Sequence, residues 1–230
     1  MNEEINVKNS NKCTVRLMEI LKRDTHFNKD EIEALYKIYK KLVASSKMNM
    51  VYMSSGNIGH PTTISKTNKI HEGVDRIVFQ ELLHNTFDLV TEDNLMDRIF
   101  CAWDKNNEGL LKAEMWIGGL SVFLRGSFDE RMQYCFRVYD LNSDGFISKD
   151  EMFQLLKNCL VKQPQEEDPD EGVKDLVEII LRKLDVDRDG KVSFEDYETT
   201  VRNEPLLLEA FGQCLPTEGA CLTFLSTLQI

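Results

Sequence analysis

Asp140-Leu141-Asn142-Ser143-Asp144-Gly145-Phe146-Ile147-Ser148-Lys149-Asp150-Glu151 is the stretch that decides the fold. With Asp140 as position one, side-chain oxygens stand at positions one, three, five and nine, on Asp140, Asn142, Asp144 and Ser148. Gly145 occupies position six, where the chain must turn with positive φ and a Cβ would be strained. Phe146 at position seven offers its backbone carbonyl, and Glu151 at position twelve can give two oxygens at once. A hard cation the size of calcium takes 6–8 oxygens at roughly 2.3–2.6 Å, and this loop supplies them within one turn of chain. A solvated Asp/Asn turn between two helices would require neither Glu151 nor the apolar Ile147 at position eight. The pattern therefore points to a calcium loop of the EF-hand type, set between two helices.

Working outward, a second match lies at Asp185-Val186-Asp187-Arg188-Asp189-Gly190-Lys191-Val192-Ser193-Phe194-Glu195-Asp196. Its position twelve is Asp196, one methylene shorter than Glu. The shorter arm reaches bidentate geometry less easily, so this loop is expected to bind calcium more weakly, or to admit Mg2+, compared with 140–151. Upstream, Asp104–Met115 keeps positions one, three, five and six but has Lys112 at nine and Met115 at twelve. A cation replaces a neutral ligand there and the bidentate donor is gone, so weak or absent binding is expected. Glu114 is one residue early and points about a quarter turn away on the following helix. A fourth loop is traced through Val74 at position eight. Its ligand positions would be Thr67, Lys69, His71 and Val78, with no carboxylate, so it reads as a structural half of a pair. The four loops begin 37, 36 and 45 residues apart. Paired loops should meet at their eighth positions, Val74 with Leu111 and Ile147 with Val192.

The expected fold class is all-α. An N-terminal basic segment with a short helix (1–27) precedes an N-terminal EF-hand lobe (28–124), and a C-terminal EF-hand lobe (128–211) carries the two calcium loops. Asn28 is a plausible cap for the helix bearing Ile32, Leu35, Tyr36, Tyr39, Leu42 and Val43. Residues 45–66, rich in Ser, Thr, Asn and Gly and lacking Asp and Glu, are expected to be a flexible insertion. Thr91 is expected to cap the next helix, whose inward stripe is Met96, Ile99, Phe100 and Trp103. Arg125-Gly126-Ser127 reads as a hinge. Ser127 with Glu130 and Ser148 with Glu151 each form a capping box. The PQEEDPDE run from Pro164 reads as a solvated linker, and residues 212–230 as a mobile tail.

The chain has 230 residues and a net charge of −11. Residues 1–50 carry +3 and the remainder −14. An acidic body suits cation binding and argues against a nucleic-acid groove. The six cysteines (Cys13, Cys101, Cys135, Cys159, Cys214, Cys221) form no CxxC pair and read as reduced thiols in an intracellular protein. No run is apolar enough to span a membrane, and Asn2 in place of Gly excludes N-myristoylation, so no lipid anchor is expected. There is no HExxH, GxxxxGK[ST] or GxSxG motif, and His26, His60, His71 and His84 are scattered, so no enzyme is expected. A calcium sensor, a regulatory subunit of an enzyme of the calcineurin-B type, and a passive calcium buffer remain as function classes. The asymmetry of the lobes favours the sensor.

The segment WIGGLSVFLRGSFDERMQYCFRVYDLNSDGFISKDEMFQLLKN, with KQPQEEDPDEGVKDLVEI from Lys162 and EPLLLEAFGQCLP from Glu204, resembles the calaxin family of ciliary EF-hand proteins. The resemblance covers roughly residues 17–44 and 74–216. It implies a calcium sensor in the cytoplasm and axoneme of cilia and flagella. The implied partners are the outer-arm dynein heavy chain, the coiled-coil proteins of its docking complex and the doublet microtubule, with regulation of ciliary motility as the role. It implies ligand roles for Asp140, Asn142, Asp144, Phe146 (carbonyl) and Glu151, and for Asp185, Asp187, Asp189, Lys191 (carbonyl) and Asp196. Ser193 stands at position nine of that second loop, as Ser148 does in the first. Two features depart from the family pattern. Met115 replaces the usual Glu at position twelve of the 104–115 loop, and residues 45–66 are an unusual insertion.

Overall fold

The computed structural model describes residues 13–55, 72–89, 93–158 and 170–228, with backbone alone for 47–55 and 93. Ten α-helices, a 3₁₀ turn, one two-stranded ladder and one isolated β-bridge are the regular elements among the described residues, in agreement with the all-α expectation. Helix α1 spans Val15–Asp24 and α2 spans Lys29–Ser55. Helices α3 (Arg76–Phe87), α4 (Asp93–Trp103) and α5 (Ala113–Arg125) complete the N-terminal lobe. Helix α6 (Phe128–Tyr139), strand β1 (Phe146–Ile147) and α7 (Lys149–Leu156) form the first unit of the second lobe. Helix α8 (Glu171–Leu184), strand β2 (Val192–Ser193) and α9 (Phe194–Asn203) form its partner. A 3₁₀ turn at Pro205–Glu209 leads to α10 (Glu218–Leu228).

Local chemistry starts these helices where the sequence places the caps. Asn28 Oδ1 accepts the Glu31 N–H at 3.0 Å while Glu31 Oε2 accepts the Asn28 N–H at 2.8 Å. Ser127 with Glu130, Ser148 with Glu151 and Ser193 with Asp196 close the same reciprocal box. Each box satisfies two N–H groups that the first turn leaves without a partner.

The eighth positions meet as their spacing predicts. Val74 and Leu111 exchange both backbone hydrogen bonds at 2.9 Å. Strands β1 and β2 pair antiparallel with Ile147 opposite Val192. Gly73 permits the first bridge, because a Cβ there would lie 2.8 Å from Leu110 Cβ. The two lobes share one core. An aromatic chain runs from Phe100 through Phe79, Trp103 and Phe123 to Tyr134, with ring centroids 4.9–5.5 Å apart. Tyr134 lies on α6, so the chain crosses from the first lobe to the second. The Arg125-Gly126-Ser127 link is braced by a two-bond fork from the Arg125 guanidinium to Glu31, at 2.5 and 2.9 Å.

Two expectations are corrected. Residues 212–230 are not a mobile tail over the described part. Helix α10 packs on α2, α3 and α5, with Cys221, Phe224 and Leu228 buried and the Phe224 ring 5.2 Å from Phe87. The signal was present: Cys221, Phe224, Leu225 and Leu228 fall at i, i+3, i+4 and i+7, and Thr217 Oγ1 accepts the Ala220 N–H at its start. The insertion does not begin at Ser45 as a break in the helix, since α2 continues to Ser55. Ser46 is buried there and its hydroxyl accepts the Asp75 N–H at 3.1 Å, which ties that turn to the start of α3. The remainder of 45–66, the Thr67–His71 part of the first loop, the Thr91 cap, Cys159, the acidic run through Asp168 and residues 1–12 lie outside the described residues.

Candidate metal centre

The three described loops share one backbone frame. At position one, Asp104, Asp140 and Asp185 each accept two amides of their own loop. The donors are the N–H groups of positions five and six, at 2.7–3.1 Å. Position six is Gly109, Gly145 or Gly190, at φ of 72°, 87° and 88°. Position four also has positive φ, at Asn107 (52°), Ser143 (60°) and Arg188 (65°). Sequence reading placed the glycines and missed position four. Asn tolerates that conformation, whereas Ser143 and Arg188 carry no residue-type signal for it.

In the second lobe, side-chain acceptors continue the frame. Asn142 Oδ1 accepts the Asp144 N–H at 2.8 Å, and Asp187 Oδ1 accepts the Asp189 N–H at 3.1 Å. Asp144 Oδ1 accepts the Phe146 N–H, and Asp189 Oδ1 the Lys191 N–H, each at 2.9 Å. Each carboxylate is thus aimed by a backbone amide. Asp185, Asp187 and Asp189 bring carboxylate oxygens within 4.8 Å of one another. Oxygens bound to one calcium at roughly 2.3–2.6 Å lie at most about 5 Å apart, so this cluster has the dimensions of a single cation's donor set.

The three carboxylates also feel one another. The amide hydrogen bond from Asp189 pulls the Asp187 carboxyl down. Desolvation and the charges of Asp189, Asp196 and Asp185 outweigh it, so Asp187 titrates above its ordinary range. Crowded like charges of this kind favour a divalent cation among them.

Position twelve separates the loops. Glu151 is 5% exposed and folded inward. Its Oε2 accepts the Ser148 N–H and hydroxyl at 2.8 and 2.7 Å, while Oε1 reaches across the loop to the Asn142 N–H at 3.1 Å. Asp196 accepts the Ser193 N–H and hydroxyl at 3.0 and 2.5 Å. Among the described residues no hydrogen bond links Asp196 to the Asp187 N–H, the counterpart of the bond from Asn142 to Glu151. In the 104–115 loop the position-five carboxylate of Glu108 accepts instead from Lys112 Nζ at 2.6 Å and Asn106 Nδ2 at 3.1 Å. The Lys112 ammonium sits on the carboxylate, and Met115 packs against the core.

The residues fit calcium in the second lobe. Asp140, Asn142, Asp144, Phe146, Ser148 and Glu151 stand at positions one, three, five, seven, nine and twelve of one loop, and Asp185, Asp187, Asp189, Lys191, Ser193 and Asp196 at those of the other. The bridge ties them, and Lys191 Nζ lies 5.0 Å from the centre of the Phe146 ring, a cation–π contact between the loops. Sequence reading assigned Lys191 and Phe146 only their carbonyls, and their side chains now make the contact between sites.

The EF-hand domain pair family matches residues 129–202. Calaxin of Xenopus laevis is 47% identical over 220 residues, covering 96% of this chain and 95% of its own. Calaxin of Homo sapiens is 50% identical over 205 residues, covering 89% and 88%. The calcineurin B protein of Candida glabrata is a more distant relative, 30% identical over 187 residues, covering 81% and 88%.

Proposed function

This chain belongs to the calaxin family of EF-hand calcium-binding proteins, and on that premise we propose that it is the calcium sensor of a ciliary motor assembly. The second lobe binds calcium through the 140–151 and 185–196 loops. The first lobe stays calcium-silent and serves as the fixed part of the molecule. The observation that carries this reading is the contrast at positions nine and twelve: Ser148 and Glu151 in one loop, Lys112 and Met115 in the other. Drawing the Glu151 and Asp196 arms onto bound cations would tilt α7 and α9 and change the apolar surface between paired helices.

The partners we infer are the outer-arm dynein heavy chain and the docking-complex coiled coils on the doublet microtubule. Kinship with calaxins over nearly the whole chain supports this assignment and the axonemal location. No helix among the described residues is long and apolar enough to cross a membrane. The protein acts by binding, with calcium changing its grip on those chains.

Titration calorimetry tests the site assignment. About two calcium sites are expected, with one remaining in Glu151→Gln, and three or four equal sites would overturn the division between lobes. Co-sedimentation with doublets carrying the docking complex tests the partner. Failure to co-sediment at every calcium level removes that part of the reading. A second reading, a calcium-binding regulatory subunit of a cytosolic enzyme, draws support from the likeness to calcineurin B. Retention by a calcineurin-type catalytic chain in place of doublets would favour it.

A further inference from the structure

Arg98 lies on α4, in the lobe whose loop carries Lys112 and Met115, yet its guanidinium reaches the second lobe. Its Nη2 donates to the Asp140 carbonyl at 2.6 Å and to the Arg137 carbonyl at 3.3 Å, and its Nε donates to the Val138 carbonyl at 3.4 Å. These carbonyls end α6, where a helix has lone acceptors and the negative end of its dipole. A planar fork of fixed donors suits that cluster better than a point charge does.

The same residue, Asp140, is position one of the 140–151 loop. Its carboxylate receives the Asp144 and Gly145 amides at 3.1 and 2.9 Å, and its own N–H donates to the Phe136 carbonyl at 2.9 Å. Phe136 and Arg98 therefore hold the Asp140 backbone from either side, which fixes where the carboxylate starts. The other position-one carbonyls lack this grip. The Asp104 carbonyl accepts the Asn107 N–H of its own loop at 3.0 Å, and no described hydrogen bond brings a side chain to that of Asp185.

We propose that Arg98 is a positioning residue for the calcium site at 140–151, and that through it the calcium-silent lobe and that site are coupled. The inference rests on the calcium reading of the loop. Coupling is reciprocal: a cation that fixes Asp140 also fixes its carbonyl against Arg98 and hence against α4. Two effects of Arg98 on calcium have opposite sign. As a nearby positive charge it repels the ion, so its removal would tighten binding. As a backbone clamp it preorganises the first ligand, so its removal weakens binding. The clamp is the dominant effect, because Arg98 is partly exposed and its charge is screened by solvent.

The test is a calcium titration of the 15N-labelled full chain followed at two amides. Gly145 and Gly190 each donate to their position-one carboxylate at 2.9 Å, so each reports the filling of its own loop. Arg98→Met keeps the stem and removes the fork. It is expected to weaken binding at Gly145 by about five- to tenfold, the scale of one net hydrogen bond, and at Gly190 by less than about twofold. Arg98→Lys is expected to recover less than half of that loss. In the calcium-free chain, amide exchange at Asp144 and Gly145 should quicken in Arg98→Met. Unchanged or tighter binding at Gly145, equal loss at both loops, full rescue by Lys, or unchanged exchange each overturns the proposal. A wild-type Gly145 that ignores calcium overturns the calcium reading itself, and the proposal with it.

Discussion

The loops at 104–115 and 140–151 have nearly the same backbone and different side chains upon it. Both turn through positive φ at positions four and six, and both hold a position-one Asp on two of their own amides. They differ in what neutralises the carboxylates. In the first, the Lys112 ammonium lies on Glu108. In the second, position nine is Ser148, whose hydroxyl donates to Glu151 at 2.7 Å. The frame is thus set by backbone geometry, and the two loops part at the side chains of positions nine and twelve. The lobes differ in cover as well. The first lobe has its own helix, α10, folded onto α3 and α5, with the Cys221 thiol 3.5 Å from the Phe123 carbonyl. Its stability should depend on packing, and that of the second lobe on calcium.

The largest way to probe this contrast is through α10. Phe224→Ala removes the ring packed on Phe87 and should cost about 3–4 kcal/mol in urea unfolding, equally with calcium and with chelator. Calcium rescue of most of that loss would show that the ion, rather than packing, carries the stability of the first lobe. Next, Glu151→Gln should remove one calorimetric site and cut the thermal stabilisation that calcium confers, while calcium-free stability changes by about 1 kcal/mol from the weakened cap. The converse change, Lys112→Ser with Met115→Glu, supplies the two missing oxygens to a frame already in place and should create a third site. If calorimetry finds none, side chains at nine and twelve are not what silences that loop.

A smaller effect concerns the Arg125–Glu31 brace beside the link to the second lobe. Hydrogen bonds from the Arg125 guanidinium hold the Glu31 carboxyl below its ordinary range, against the pull of burial. A carboxylate lowered on folding stabilises the protein above its unfolded pKa and loses that contribution as pH falls through the lower folded value. Glu31→Gln should therefore cost roughly 1–2 kcal/mol near pH 7, and the gap to wild type should close below about pH 4. A gap that persists unchanged to pH 2 would assign the loss to packing. Smallest of all, Asp196→Glu should tighten the 185–196 site by about three- to tenfold and reduce its competition by Mg2+, read by calcium titration with and without magnesium.

Much of the candidate site was legible because ligand chemistry is local. Oxygens at one, three, five, nine and twelve, a glycine at six and an apolar residue at eight all fall within twelve residues. The capping boxes at Ser127 and Ser148 and the pairing of Ile147 with Val192 follow from the same short-range order. Helix α10 was less legible, because a stripe diluted by Gly, Ser and Thr is apolar only in relation to Phe87 and Phe123. The extension of α2 to Ser55 was hidden for a similar reason, since Ser46 is buried against Asp75, 29 residues away.

By itself, then, the sequence determined the helix–loop–helix repeats, the loops with a calcium ligand set and the two loops that lack one, all from spacing along a chain whose side chains act on near neighbours. The tertiary structure decided what meets across long separations. It placed α10 on the first lobe, Lys191 over Phe146 between the two loops, and Arg98 on the carbonyl of Asp140, 42 residues away. A hydrogen bond of that kind depends on how two helices cross, and helix crossing is set by the packed core rather than by any pattern along the chain.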